Sequence, residues 1–150
     1  MTTMRLSVQG DKELRDGLRK LGISIADLKD EFEETGEYLT GFFSGPVFVS
    51  RGQVIGEPWP ALNSSYAAWK AQVFPGKPPL VRSTLMQRSF KHKSTKLSST
   101  IWNESEYFRN HQQGIGVPQR MMMKLDEQRE RAVIDILAEG LRKKMRQAGV

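Results

Sequence analysis

Ile25, Leu28, Phe32, Thr35, Leu39 and Phe42 recur at intervals of three and four, the spacing that gathers side chains onto one face of an α-helix. Carboxylates and small polar residues fill the positions between them, so the apolar stripe is narrow. Ser24 marks the start, with Asp27 three residues on as a variant capping box. From there the helix reads as about nineteen residues, or about 28 Å. Gly36 and Gly41 each cost about 1 kcal/mol relative to alanine, which predicts a bent or frayed far end. A long helix with one narrow stripe needs a flat apolar partner, usually a sheet and less often another subunit. The fold class expected is therefore α+β: a small antiparallel or mixed β-sheet packed by a long N-terminal helix and a C-terminal helix.

The sheet has to come from the remaining alternating runs. Met4 to Gln9 sets Met4, Leu6 and Val8 against Arg5, Ser7 and Gln9, a short half-buried strand. Phe90-Lys91-His92-Lys93 and Leu97 to Trp102 flank a polar corner at Ser94 to Lys96, which reads as a hairpin without the strong Asn-Gly signal. Met121 to Met123 reads as a further strand entering the core, where methionine fills irregular gaps. Asp11 to Leu21, closed by Gly22, carries Leu14, Leu18 and Leu21 on one helical face. Gly45 to Pro60 reads as a loop or ragged hairpin, followed by a short helix capped by Asn63 and carrying Tyr66, Trp69 and Val73. Phe74 to Pro79 is a surface loop, Pro78 onward begins an amphipathic turn, and Glu106 to Gln112 is a helical piece closed by Gly114. The final helix spans Asp126 to about Gln147, with Val133, Ile136, Leu137, Leu141 and Met145 along one face. Its acids lie near the start and its basic residues near the end, as the helix dipole favours.

A chain of 150 residues with 38% apolar and 27% charged residues has the makeup of one soluble domain, covering residues 1–150. It has no cysteine, which excludes disulfides and thiolate metal sites. No apolar run approaches the ~20 residues of a membrane helix, and MTTMRLSVQG lacks a signal-peptide core. The expectation is a protein made in the cytoplasm, with no membrane partner. Its net charge of +6 is segregated. Asp27 to Glu37 holds six acids and one lysine, while Pro58 to Asn103 holds no acid against Lys70, Lys77, Arg82, Arg88, Lys91, Lys93 and Lys96. Opposite poles suit nucleic acid or a complementary protein surface; a solvated, mildly basic surface is the plainer alternative.

Catalysis finds little to stand on. His92 lies between two lysines and His111 on a short helix, neither with a second ligand at metal-binding spacing. Gly52-Gln53-Val54-Ile55-Gly56 and Gly114-Ile115-Gly116 lack the lysine and helix of a phosphate loop. There is no nucleophile-elbow sequence, and the acids of the second helix read as a solvated face rather than an acid/base pair. The expectation is no catalytic residue, no metal, no cofactor and no enzyme. Lys91, Lys93 and Lys96 beside Phe90 and Trp102 would touch DNA through phosphates only, without sequence preference.

The segment Leu80-Val81-Arg82-Ser83-Thr84-Leu85-Met86-Gln87-Arg88-Ser89-Phe90 resembles tailed-bacteriophage tail-completion and virion-morphogenesis proteins. Trp59-Pro60-Ala61-Leu62 and the Tyr66 to Lys70 helix precede it in the order that family shows. Tyr107, His111 and Gly114, then Val117-Pro118-Gln119-Arg120 before the last helix, follow it. The likeness covers about Glu57 to Leu141. It departs at Thr84, where the family usually has glycine, so the turn is expected to avoid positive φ and to be helical instead. It departs also at Arg82, often acidic in the family, and across Gly45 to Glu57, which does not align.

The resemblance implies a structural virion protein at the head–tail junction, forming a ring that terminates the tail tube and joins it to the head. Implied partners are the chain itself, as a hexamer, the tail tube protein, head-completion or connector proteins, and packaged DNA passing non-specifically through the lumen. A ring needs a heterologous interface, one face meeting a different face of the neighbour. The candidate surfaces are Asp27, Asp30, Glu31 and Glu34 against Lys91, Lys93 and Lys96. Lys91, Lys93 and Lys96 lining the DNA channel are the alternative. A neck or connector ring, with dodecameric symmetry as an option, is a second role in the same class, and a small non-specific DNA-binding protein a role in another.

Overall fold

The central strand of the sheet is the second half of the expected hairpin. In the computed structural model, which describes residues 2–7, 19–20, 27–77, 79–81 and 84–149, strands β1 (Thr3–Ser7), β2 (Phe90–Ser94) and β3 (Ser98–Asn103) pair antiparallel in the order β1-β3-β2. Ile101 sits opposite Met4 on one side and His92 on the other, and Thr100 sits opposite Arg5 and Lys93. Alternation therefore gives the sheet an inner face of Met4, Leu6, Phe90, His92, Ser99 and Ile101, and an outer face that carries Arg5, Lys91, Lys93 and Trp102. At the corner, Thr95 N donates to Ser98 O at 2.8 Å and the two side-chain hydroxyls meet at 2.7 Å. These bonds do the work that an Asn-Gly pair does in tighter hairpins.

Helix α1 (Lys29–Ser44) lies on the inner face, burying Phe32, Thr35, Leu39 and Phe43. It begins later than Ser24: Leu28 is its N-cap, and the Leu28 N–H donates to Lys96 O of the hairpin corner at 2.8 Å. Asp27 builds no capping box, its Oδ1 accepting instead from Lys29 N at 3.3 Å. Residues 24–26, Val8, Gln9 and the expected Asp11–Leu21 helix lie outside the described residues, apart from Arg19 and Lys20, which are helical. The far end neither stops nor frays at its glycines. A Cβ at Gly36 would stand 2.5 Å from His92 Nδ1 and 3.0 Å from Ser99 Oγ, so this glycine is where helix and sheet touch.

Between α1 and the hairpin the chain winds in short pieces: α2 (Pro46–Val49), a 3₁₀ turn at Gln53–Ile55, α3 (Ser64–Val73) and α4 (Leu85–Arg88). The ragged hairpin expected over Gly45 to Pro60 is thus replaced by two helical turns. Val47, Phe48 and Ile55 point into the core, because each turn brings one apolar side inward. Asn63 caps α3 as expected, its Oδ1 accepting from Tyr66 N at 2.8 Å. Thr84 contradicts its expectation: it adopts φ 64°, the left-handed conformation that a glycine would take there.

After β3, α5 (Phe108–Gln113) ends at Gly114 with φ 72°. Phe90 joins the layers, its ring centroid 6.0 Å from Phe43, 6.5 Å from Phe48 and 5.7 Å from Phe108. Met121 to Met123 enter the core but form no strand. The side chain of Gln112 stands in for one: its Nε2 donates to Met123 O at 2.7 Å, and its Oε1 accepts from Met122 N at 2.8 Å and Met123 N at 3.1 Å. The last helix, α6 (Glu127–Gln147), runs antiparallel to α1. Arg129 covers the Phe42 ring at 4.0 Å near one end, and Lys144 Nζ reaches Glu31 Oε1 at 3.4 Å near the other. The architecture is α+β, a three-stranded antiparallel sheet packed against a long N-terminal helix and a long C-terminal helix.

Candidate functional site

Two regions carry unusual chemistry. The first is the pair of charged surfaces. On α1 the sheet-facing positions are Phe32, Gly36, Leu39 and Phe43, which leaves Asp30, Glu34 and Glu37 exposed on the far side. Lys91 and Lys93 are exposed on the outer face of the sheet, with Trp102 paired beside Lys91 and Arg5 in register with Lys93 across Thr100 of the central strand. Acid and base therefore occupy opposite outer surfaces of a helix-on-sheet sandwich. Two of the expected acids depart from this plan. Glu31 is 9% exposed and turned to Lys144, so it holds α6 to α1 rather than facing solvent. Asp27 is exposed, but it lies next to Leu28, which is bonded to Lys96, so Asp27 and Lys96 share one corner of the same subunit. His92, the expected strand histidine, faces inward with Nδ1 3.6 Å from Glu33.

The second region is a groove of about 750 Å³. Its walls come from α3 (Tyr66, Phe74 just beyond it), α4 (Leu85, Met86), Tyr107 before α5, and Val117-Pro118. Lys70, His111 and Arg120 also line it, and among the described residues no aspartate or glutamate does. Arg120 is 5% exposed and is fixed by its own hydrogen bonds, Nε to Pro60 O at 2.9 Å and Nη2 to Ala61 O at 3.1 Å. Its backbone N–H donates to His111 O at 2.8 Å, which ties the Val117 to Arg120 segment to α5.

Electrostatically the groove is positive and partly dry. Burial lowers the pKa of Lys70 from its ordinary value, and the charges of Arg120 and Arg51 lower it further. His111 is also drawn below the ordinary histidine value, first by burial and then by Arg120, so it is neutral at pH 7. Burial lowers Arg120 as well, though a guanidinium keeps its proton at neutral pH.

Helix α3 is inverted with respect to its sequence. Lys70 is 3% exposed, whereas Tyr66, Trp69 and Val73 are 36%, 39% and 49% exposed. The aromatic rings run along the surface, Tyr66 to Trp69 at 5.6 Å and Trp69 to Phe74 at 5.9 Å.

Sequence reasoning picked out Tyr66 to Lys70, Tyr107 with His111, and Val117 to Arg120 as separate motifs. It did not assemble them into one site. The acid-free stretch from Pro58 to Asn103 was the available signal, since two of the groove walls, α3 and α4, fall within it. Among the described residues no three His, Cys, Asp or Glu side chains cluster as a metal site requires, and no helix is long and apolar enough to cross a membrane. Compared with protein-family models, curated proteins and solved structures, the chain matches none.

Proposed function

We propose that this chain is a non-enzymatic structural subunit of a tailed-phage particle, assembling head to tail into a ring at the head–tail junction that terminates the tail tube. The resemblance over Glu57 to Leu141 names the role. The observation that carries it is the placement of Asp30 and Glu34 on one outer surface of the sandwich and Lys91 and Lys93 on the other. Subunits polarised in this way stack acid to base, and a fixed rotation at each contact closes the stack into a ring. Exposed pairs contribute little individually, about 0–1 kcal/mol, so their part is to set partner choice and register over several contacts. Packaged DNA would cross the lumen of such a ring, and the tail tube and head-completion proteins would meet its two rims.

The test is the double reversal Lys91→Glu with Lys93→Glu. Both side chains are exposed, so the fold should survive, as circular dichroism will report. Light scattering and negative-stain imaging, alone and with tail tubes, should show rings for the parent chain and monomers for the variant. Rings of normal size from the variant would overturn the proposal. A second reading is favoured by one feature, Trp102 lying in register with Lys91 on a face that also carries Arg5 and Lys93: non-specific DNA binding through phosphates and stacking. A duplex mobility shift that weakens steeply with salt while no ring forms would favour it.

A further inference from the structure

Neither charged surface uses the groove, yet the groove has the features of an interface. Its helix α3 holds Lys70 inside and sets Tyr66 and Trp69 outside, the reverse of a helix that has finished burying its apolar residues. Leu85 and Tyr107, 56% and 61% exposed, continue the apolar rim on the opposite side. Trp, Tyr and Arg are the residues that dominate binding energy when a partner excludes water from them.

We propose that this groove is a docking site for an apolar peptide segment bearing a carboxylate side chain, supplied by a partner protein. Charge complementarity selects the carboxylate. The lining holds Lys70 and Arg120, both buried, with no acid among the described lining residues, so an entering aspartate or glutamate meets two desolvated cations in a low-dielectric setting. Lys70 and His111 are lowered first by burial and then by neighbouring guanidinium charge, Arg120 for both, so the positive field inside the groove is the smaller part of those shifts. The rim selects a peptide over a small amphiphile. The cavity of about 750 Å³ holds a few side chains, but exposed Tyr66, Trp69, Leu85 and Tyr107 extend beyond it and need a longer occupant to cover them. The inference stands apart from the ring: Asp30, Glu34, Lys91 and Lys93 do not line the groove, and the groove residues are not on those two surfaces.

The experiment is a nuclear magnetic resonance titration of the full ¹⁵N-labelled chain with an acetylated and amidated peptide, Leu-Leu-Asp-Leu-Phe, and with its Asn-for-Asp counterpart. The expected result is saturable shifts in the amides of α3, Tyr107 to His111 and Val117 to Arg120, with the Asn peptide at least tenfold weaker. In Lys70→Met, whose long apolar side chain keeps the packing, the two peptides should bind alike. The parent chain alone decides the matter if that variant fails to fold. Equal affinity for both peptides, shifts located elsewhere, or no saturable shift would overturn the proposal. Groove shifts with dodecanoate but not with the peptide would overturn it in favour of a small-amphiphile site. Loss of rings in the Lys91/Lys93 variant with peptide binding retained would separate the two proposals.

Discussion

Burial and the nearby Arg120 guanidinium disfavour a proton on His111, and that preference has a consequence for stability. The unfolded chain titrates His111 near the ordinary 6.5, the folded chain lower. Between these two values the unfolded state binds more protons, so the stability present above the unfolded pKa is lost as pH falls through the folded pKa. Thermal melts from about pH 7.5 to about pH 5 should therefore show a smaller loss for His111→Gln than for the parent. His92, facing Glu33, is present in both proteins and drops out of the comparison. Parallel curves would show that His111 is not strained by its surroundings. Thr84 is a second residue held against its preference, at φ 64°. A β-branched residue in the left-handed region costs about 1–2 kcal/mol. Glycine removes that cost but returns about 0.5–1 kcal/mol as unfolded-chain entropy. Thr84→Gly should thus stabilise by about 0.5–1 kcal/mol, seen as a higher urea midpoint with an unchanged slope. A lower midpoint would mean that the threonine side chain contributes packing that outweighs its backbone.

Elements formed where local signals were strong and failed to form where a distant side chain could replace them. The hairpin, α3 with its Asn63 cap, α5 with Gly114, and α6 with its dipole-matched charges all follow from period, cap and turn residues that sit within a few positions of each other. The Met121 to Met123 segment looked like a strand because its residues are apolar and enter the core, and it is buried; the ladder it lacks is supplied by one amide, on Gln112. Nothing in the spacing of Gln112 announces that role. Likewise α1 starts later than Ser24 and Asp27 suggest, with Leu28 at its N-cap giving its N–H to Lys96, a contact across the fold rather than along the chain. The groove was illegible as a unit for the same reason, since its walls are brought from several elements by packing. Gln112→Leu tests how much the substitute ladder holds. It would leave two N–H groups and a carbonyl of the methionine segment without their partner, at about 1–3 kcal/mol for each group that stays dry. A loss of about 3 kcal/mol or more in chemical denaturation is expected, with tryptophan emission disturbed because Trp59 Nε1 donates to Met121 O at 2.8 Å. A variant as stable as the parent would show that the segment is held by methionine burial alone.

At the scale of the whole molecule, the proposed ring makes a demand that no single reversal can test fully. Reversing Lys91 and Lys93 gives a subunit whose two outer surfaces are both acidic; reversing Asp30 and Glu34 to lysine gives one whose surfaces are both basic. Each variant alone opposes like charges at every contact and should stay monomeric. Mixed in equal amounts they become complementary twice over. The new lysines of one face the new glutamates of the other, and the unchanged acid and base surfaces meet at the next contact. An alternating ring then closes for any even number of subunits, including six. Equimolar mixing should therefore restore rings in light scattering and negative stain. Added salt should weaken assembly of the parent and of the mixture together, because the contacts are exposed and screened over about 8–10 Å. If the lysines served only DNA in the lumen, the two variants would each form rings unmixed, and only the lysine reversal would impair DNA retention. Monomers that stay monomeric on mixing would reject the pairing of these two faces, because complementarity would have been restored without effect.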